Sequence, residues 1–228
     1  MSLWCKGFRT LSEAPLLKVG LTGGIASGKS IVGEMLVARG VHLIQADHIA
    51  HKLMQPGQPV YEEVVRHFGR TILNSDGSVN RPKLAEAAFS PNPTGGTRIG
   101  ELNAIVHPAV IRHEDDWMEA EGRRDPCGIA VVEAALILEA GAADRFDRLI
   151  VVTCSEEQRV QRYAHRLKID VEAARREVVR RMSAQLPDSL KIQRADFVID
   201  NSGSIDNTEA QVNKVYATLK QEAEQKPG

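Results

Sequence analysis

Gly23-Gly24-Ile25-Ala26-Ser27-Gly28-Lys29-Ser30 satisfies the spacing G-x-x-x-x-G-K-[ST]. That spacing suits phosphate, because glycines let the chain turn tightly and aim backbone N–H groups at phosphate oxygens. The helix expected next adds the positive end of its dipole. In such a loop Lys29 reaches the β- and γ-phosphates and Ser30 holds Mg²⁺. Four fixed positions recur by chance in roughly 1% of chains of this length at ordinary residue usage. The competing reading is a glycine-rich turn with a surface lysine. The apolar run Leu16 to Thr22 before the loop and the helix-like run after it argue against that reading.

Other chemistry-bearing residues follow. Asp47 comes just past Val41 to Gln45. There it either accepts a proton from an attacking hydroxyl or caps a helix over Ile49 to Met54. Position alone does not choose. Glu133 follows the apolar run Gly128 to Val132, where a carboxylate orders Mg²⁺ water or is an ordinary loop charge. From Arg159 to Arg181 seven Arg and one Lys stand against Asp170, Glu172 and Glu177. Arg159, Arg162 and Arg166 share one helical face. Arginine suits bidentate phosphate binding, so the run reads as a lid closing on ATP. A solvated basic face is the alternative. RNA binding is the weaker reading, because aromatics are nearly absent from the stretch. His107, before Pro108, faces a ligand or fills a helix junction; the junction is favoured.

These residues need a frame. Leu16 to Thr22 reads as a buried parallel strand. Gly28 to Arg39 reads as a helix stopped by Gly40, and Val41 to Gln45 as a second strand. This β-loop-α-β opening predicts a doubly wound parallel α/β sheet with ligands at the strands' carboxyl ends. Gly128 to Val132, Leu149 to Cys154 and Ala195 to Asp200 complete five strands. Gln55 to Pro59 is a turn cluster. Beyond it come a helix from Val60 to Phe68, a turn at Ser75-Asp76-Gly77, a helix from Arg81 and a loop over 91–96. With no strand expected from Pro59 to Arg98, this stretch reads as a helical insertion over the sheet. Pro108 splits Ile99 to Val106 from Ala109 to Glu121. Ser155 caps a helix with Glu156 and Glu157 in its first turn. Asp206 to Gln225 is a closing helix.

The 228 residues suit one α/β domain with insertions, and 43% hydrophobic content supplies a core. A net charge of −1 gives no global field toward nucleic acid or anionic membrane. Cys5, Cys127 and Cys154 show no C-x-x-C spacing and form no even set. Neither a zinc site nor a disulfide framework is expected, which suits a reducing cytosol. No apolar run reaches the ~18 residues of a spanning helix. Residues 1–15 read as a poorly ordered extension.

The ordered set of motifs resembles the dephospho-CoA kinase family of P-loop kinases over nearly the whole chain after that extension. It comprises the loop, Ile44 to Ala50, Gln55-Pro56-Gly57, Phe68-Gly69, Arg81 with Leu84, and Val106-His107-Pro108. Glu133 to Glu139, Arg162 and Arg166, Arg181-Met182 with Gln185, and Ala195 to Asn201 complete it. The resemblance implies a kinase domain over 16–228, of P-loop NTPase type. Its core is 16–55, 99–158 and 191–228, with a helical insertion for the CoA substrate at 56–98 and a helical lid at 159–190. It implies transfer of the ATP γ-phosphoryl to the ribose 3′-hydroxyl of dephospho-CoA, giving coenzyme A and ADP.

In that resemblance the catalytic residues are Asp47, Lys29 and Arg162. ATP is held by Gly24, Ile25, Ala26, Ser27, Gly28, Lys29, Ser30, Ile31, Arg162, Arg166 and Asn201. Dephospho-CoA is held by Asp47, His107, Glu133 and Leu136, and Mg²⁺ by Ser30. A cytoplasmic enzyme is implied, with no nucleic acid, membrane or obligate protein partner. Departures are Ala26 and Ile31, where the family usually has Gly and Thr, Gln45, where it often has Asp, and Ala135, where it has Pro. Ala26 and Ile31 are expected to weaken ATP binding without abolishing it. Another P-loop small-molecule kinase and a GTP-binding switch are the alternatives. The string Asn213-Lys214-Val215-Tyr216 lacks the Asp that guanine recognition needs.

Overall fold

A computed structural model describes residues 16–90 and 97–226. The expectations for residues 1–15 and for the loop 91–96 lie outside them. In chain order the elements are β1 (Leu17–Gly23), α1 (Lys29–Val37), β2 (His42–Gln45), α2 (Ala46–Leu53), α3 (Pro59–Phe68), α4 (Arg81–Phe89) and α5 (Ile99–Arg124). There follow β3 (Ile129–Glu133), β4 (Arg148–Thr153), α6 (Glu156–Leu167), α7 (Val171–Ser183), α8 (Asp188–Gln193), β5 (Phe197–Asp200) and α9 (Ile205–Gln225).

Two compact units are formed. One runs to Ile44 and resumes at Met118; the other is Gln45–Trp117. The first carries the sheet, ordered β2-β3-β1-β4-β5. Its central strand β1 pairs in parallel with β3 and β4, Val19 facing Val131 on one side and Arg148 on the other. A strand covered on both faces reads as a continuous apolar run rather than an alternating one, which is why LKVGLTG is buried almost throughout. Val19, Leu21, Val131, Ile150 and Val152 meet Val32 and Leu36 of α1 and Val212 and Leu219 of α9 in the main core. Each such side chain, fully buried, contributes about 1.5–3 kcal/mol.

Helix starts follow their caps. Ser155 accepts from the Gln158 N–H, Asp170 from Ala173 and Ser204 from Asn207. Most of the α7 charge goes into pairs. Arg175 donates to Glu157, and Arg180 and Arg181 donate to Glu177. The bonds from Arg180, with those from Arg181, hold the Glu177 carboxyl down to about 2. Exposed pairs of this kind contribute about 0–1 kcal/mol each, so the α7 part of the basic run is a solvated face with most of its charge paired.

The second unit holds α2, α3, α4 and the first part of α5. One antiparallel bridge, Leu73 with Val79, closes the turn at Gly77. The expected break at Pro108 is corrected: α5 runs unbroken from Ile99 to Arg124 with Pro108 inside it. A proline there forfeits one hydrogen bond and costs about 3 kcal/mol. Against this, Val106, Val110, Glu114 and Met118 form a single buried stripe at i+4 spacing. Pro108 itself is exposed, off the stripe, so packing keeps the helix whole.

Asp47 is also not a cap. Gln45 is the N-cap of α2, and Asp47 lies in its first turn, exposed. Cys154 is a buried free thiol.

Candidate active site

The chain leaves β1 at Gly23 and enters α1 at Lys29, and the loop between has nearly all its carbonyls on protein donors. Lys29 Nζ donates to the Gly23 and Gly24 oxygens at 2.9 and 3.2 Å. Arg159 Nη1 donates to Ile25 O at 3.2 Å. The Cys154 thiol reaches Ala26 O at 3.8 Å. Ser27 O accepts from Arg162 Nη1 at 3.2 Å and from Asn201 Nδ2 at 2.9 Å. Because a peptide is planar and trans, a carbonyl turned one way sends the next N–H the other way. Donors on the carbonyl side therefore fix the N–H side, which is how a loop of this kind offers itself to anions.

Backbone conformation shows why the residue types matter. Gly28 has φ of 98°, and a side chain there would strike the Asn201 amide. Ala26 has φ of 53°, a left-handed conformation that costs an L-residue about 1–2 kcal/mol. This is the position where Gly was expected from the resemblance. Ala26→Gly removes that strain but frees the unfolded chain, which takes back about 0.5–1 kcal/mol. The expected net gain is up to about 1 kcal/mol, or a Tm rise of about 2–4 °C, read by thermal denaturation. A lower Tm would show that the Ala26 methyl, packed against the Val160 and Tyr163 cluster, outweighs its strain.

On the α1 side of the loop, Ser30 Oγ donates to Glu133 Oε1 at 2.8 Å. Glu133 ends β3 and is buried, so a hydroxyl and a carboxylate meet beside Lys29. Hard oxygen donors of this kind suit Mg²⁺. Arg162 joins the same cluster, its Nη2 donating to Asn201 O at 2.8 Å. The Asn201 side chain is spent on the loop, and its oxygen accepts from Thr208 at 2.9 Å.

The structure therefore brings together Lys29, Ser30, Glu133, Arg162 and Asn201. Arg166 stands apart, its guanidinium 5.3 Å from the centre of the Tyr163 ring. Ile31 is exposed in the first turn of α1, and Leu136 lies in the turn after β3, partly covered. Asp47 and His107 belong to the Gln45–Trp117 unit. Burial pushes the His107 imidazole below its ordinary range, so it is neutral at pH 7 and offers hydrogen bonds rather than charge.

The expectation that Arg159 lies with Arg162 and Arg166 on the polar face of α6 is corrected. Arg159 is 1% exposed and ion-paired with Asp188. Its angular position offers one signal: about 40° from Tyr163 on a helical wheel, it sits at the edge of the apolar face.

The dephospho-CoA kinase family model matches residues 17–207. The chain belongs to the dephospho-CoA kinase family. It is 38% identical over 204 residues to the dephospho-CoA kinase of Corynebacterium efficiens, covering 90% of this chain and 98% of that one. To the enzyme of that name from Aquifex aeolicus it is 36% identical over 202 residues, with 89% and 97% covered. The crystal structure of TT1252 from Thermus thermophilus superposes with a TM-score of 0.71 at 32% identity, covering 90% of this chain and 98% of that one. The chain is thus a kinase of coenzyme A biosynthesis on a P-loop α/β fold. These matches favour neither another small-molecule kinase nor a GTP-binding switch. Among the described residues no helix is long and apolar enough to cross a membrane.

Proposed function

We propose that the loop from Gly24 to Ile31 holds ATP, and that the γ-phosphoryl passes from it to the ribose 3′-hydroxyl of dephospho-CoA. What carries this reading is the ring of donors on the loop carbonyls, which leaves the N–H side to phosphate. Lys29 offsets charge on the transferred group. Arg162, already on the loop, meets the charge spread over the transition state. Ser30 and Glu133 would hold Mg²⁺, and their 2.8 Å pairing supports a metal-side role for Glu133 beside its expected contact with substrate. Bound Mg²⁺ would neutralise the β- and γ-phosphate oxygens.

Asp47 orients the 3′-hydroxyl and takes its proton as the new O–P bond forms and the bond to ADP breaks. Its support is its place two residues beyond β2, since ligands in such sheets gather past the strands' carboxyl ends. His107, Leu136 and the helices of 56–98 bind dephospho-CoA, and the segment 159–190 acts as the lid. Arg166 would join from that lid. Asn201 keeps its turn beside the adenine through its backbone, since its amide holds the loop. ATP and dephospho-CoA are the partners, and the compartment is the cytoplasm.

Incubating the protein with ATP, Mg²⁺ and dephospho-CoA should give coenzyme A and ADP in equal amounts. ATP binding without coenzyme A would overturn the acceptor assignment.

A further inference from the structure

Arg159 heads the largest fully buried side chains among the described residues. A guanidinium taken out of water is costly unless its N–H groups are all engaged and its charge is paired. Here Nε donates to Cys154 O and Nη1 to Ile25 O, both at 3.2 Å, while Nη2 meets the Asp188 carboxylate. The guanidinium lies so close to the Gly24 backbone that a side chain at Gly24 would collide with it. One rigid fork therefore joins three separate pieces: the end of β4, the apex of the phosphate loop, and the first turn of α8. Lysine carries a single point of charge on a flexible stem and cannot reproduce that fork.

We infer that Arg159, held by Asp188, is a positioning residue for ATP: it fixes the Ile25 peptide so that the next N–H faces the phosphates. The inference rests on the placement of ATP at residues 24–31. Arg159 does not touch nucleotide and plays no part in proton transfer. Its effect is on how well the loop is formed before ATP arrives, so it belongs to binding rather than to turnover. Asp188 acts one step further out. It neutralises the buried charge and sets the angle of the fork.

Steady-state kinetics on four variants, with thermal midpoints, test this. Arg159→Gln should raise KM for ATP by about 10-fold or more, the scale of losing a hydrogen bond from a charged donor. KM for dephospho-CoA should stay unchanged and kcat nearly so. Arg159→Lys should recover part of the ATP affinity, and Asp188→Asn should lose part of it. Breaking a buried pair from one side also destabilises the fold, so the double variant Arg159→Gln with Asp188→Asn removes both charges together. It should regain much of the thermal midpoint while its KM for ATP stays raised.

If ATP affinity returns with stability in the double variant, or if kcat falls while KM for ATP holds, the positioning role is wrong. Lys29→Ala, run alongside, separates the two levels. Should Lys29→Ala bind and turn over ATP normally, the placement of ATP itself fails. Should it be impaired while every Arg159 and Asp188 variant is normal, only this inference fails.

Discussion

Asp47→Asn should lower kcat by about 10²- to 10⁴-fold, the range of a general base, with ATP binding retained. Asn has the same shape, remains compatible with the first turn of α2, and can still offer an oxygen to a hydroxyl. It cannot take the proton. The effect should therefore appear at saturating substrates, as reduced kcat, with ATP affinity by calorimetry unchanged. Asp47 is exposed in its own unit, so the substitution removes no buried partner and should leave the thermal midpoint in place. Near-normal turnover would remove Asp47 as the base.

Lys29→Ala should cost roughly 3 kcal/mol or more of transition-state stabilisation, the scale of one preorganised donor, or about 100-fold in kcat/KM. The structure adds a second loss. Lys29 Nζ bridges the Gly23 and Gly24 carbonyls, so the alanine also loosens the start of the loop. Both kcat and ATP affinity should fall, unlike in Asp47→Asn, where only kcat does. Normal kcat/KM in Lys29→Ala would show that phosphate is held elsewhere.

The parts legible from sequence were the local ones. Leu16 to Thr22 reads one residue early against β1, Leu17–Gly23, because an apolar run between turns marks a buried parallel strand. The phosphate loop is legible because its glycines and its lysine are neighbours in the chain. Pro108 misled because a local rule was applied where a buried stripe from Val106 to Met118 decides. Arg159 misled for a different reason. Its partners Ile25 and Asp188 lie 134 and 29 residues away, and no spacing pattern contains them. Ser30 with Glu133, 103 residues apart, became visible as a pair only in the folded sheet.

The ring of donors beneath the loop also bears on how the chain is made. The loop is synthesised early, but Cys154, Arg159, Arg162 and Asn201 lie 128, 134, 135 and 174 residues beyond the carbonyls they hold. Synthesis proceeds from the N-terminus, and contacts this distant are paid for late in folding. A nascent chain ending before β4 carries the whole phosphate motif and none of these four clamps. Its loop has only the local bonds from Lys29 to the Gly23 and Gly24 carbonyls to draw on. The ring is complete only once Asn201, the residue after β5, has been made, so the preformed loop is a late product of synthesis.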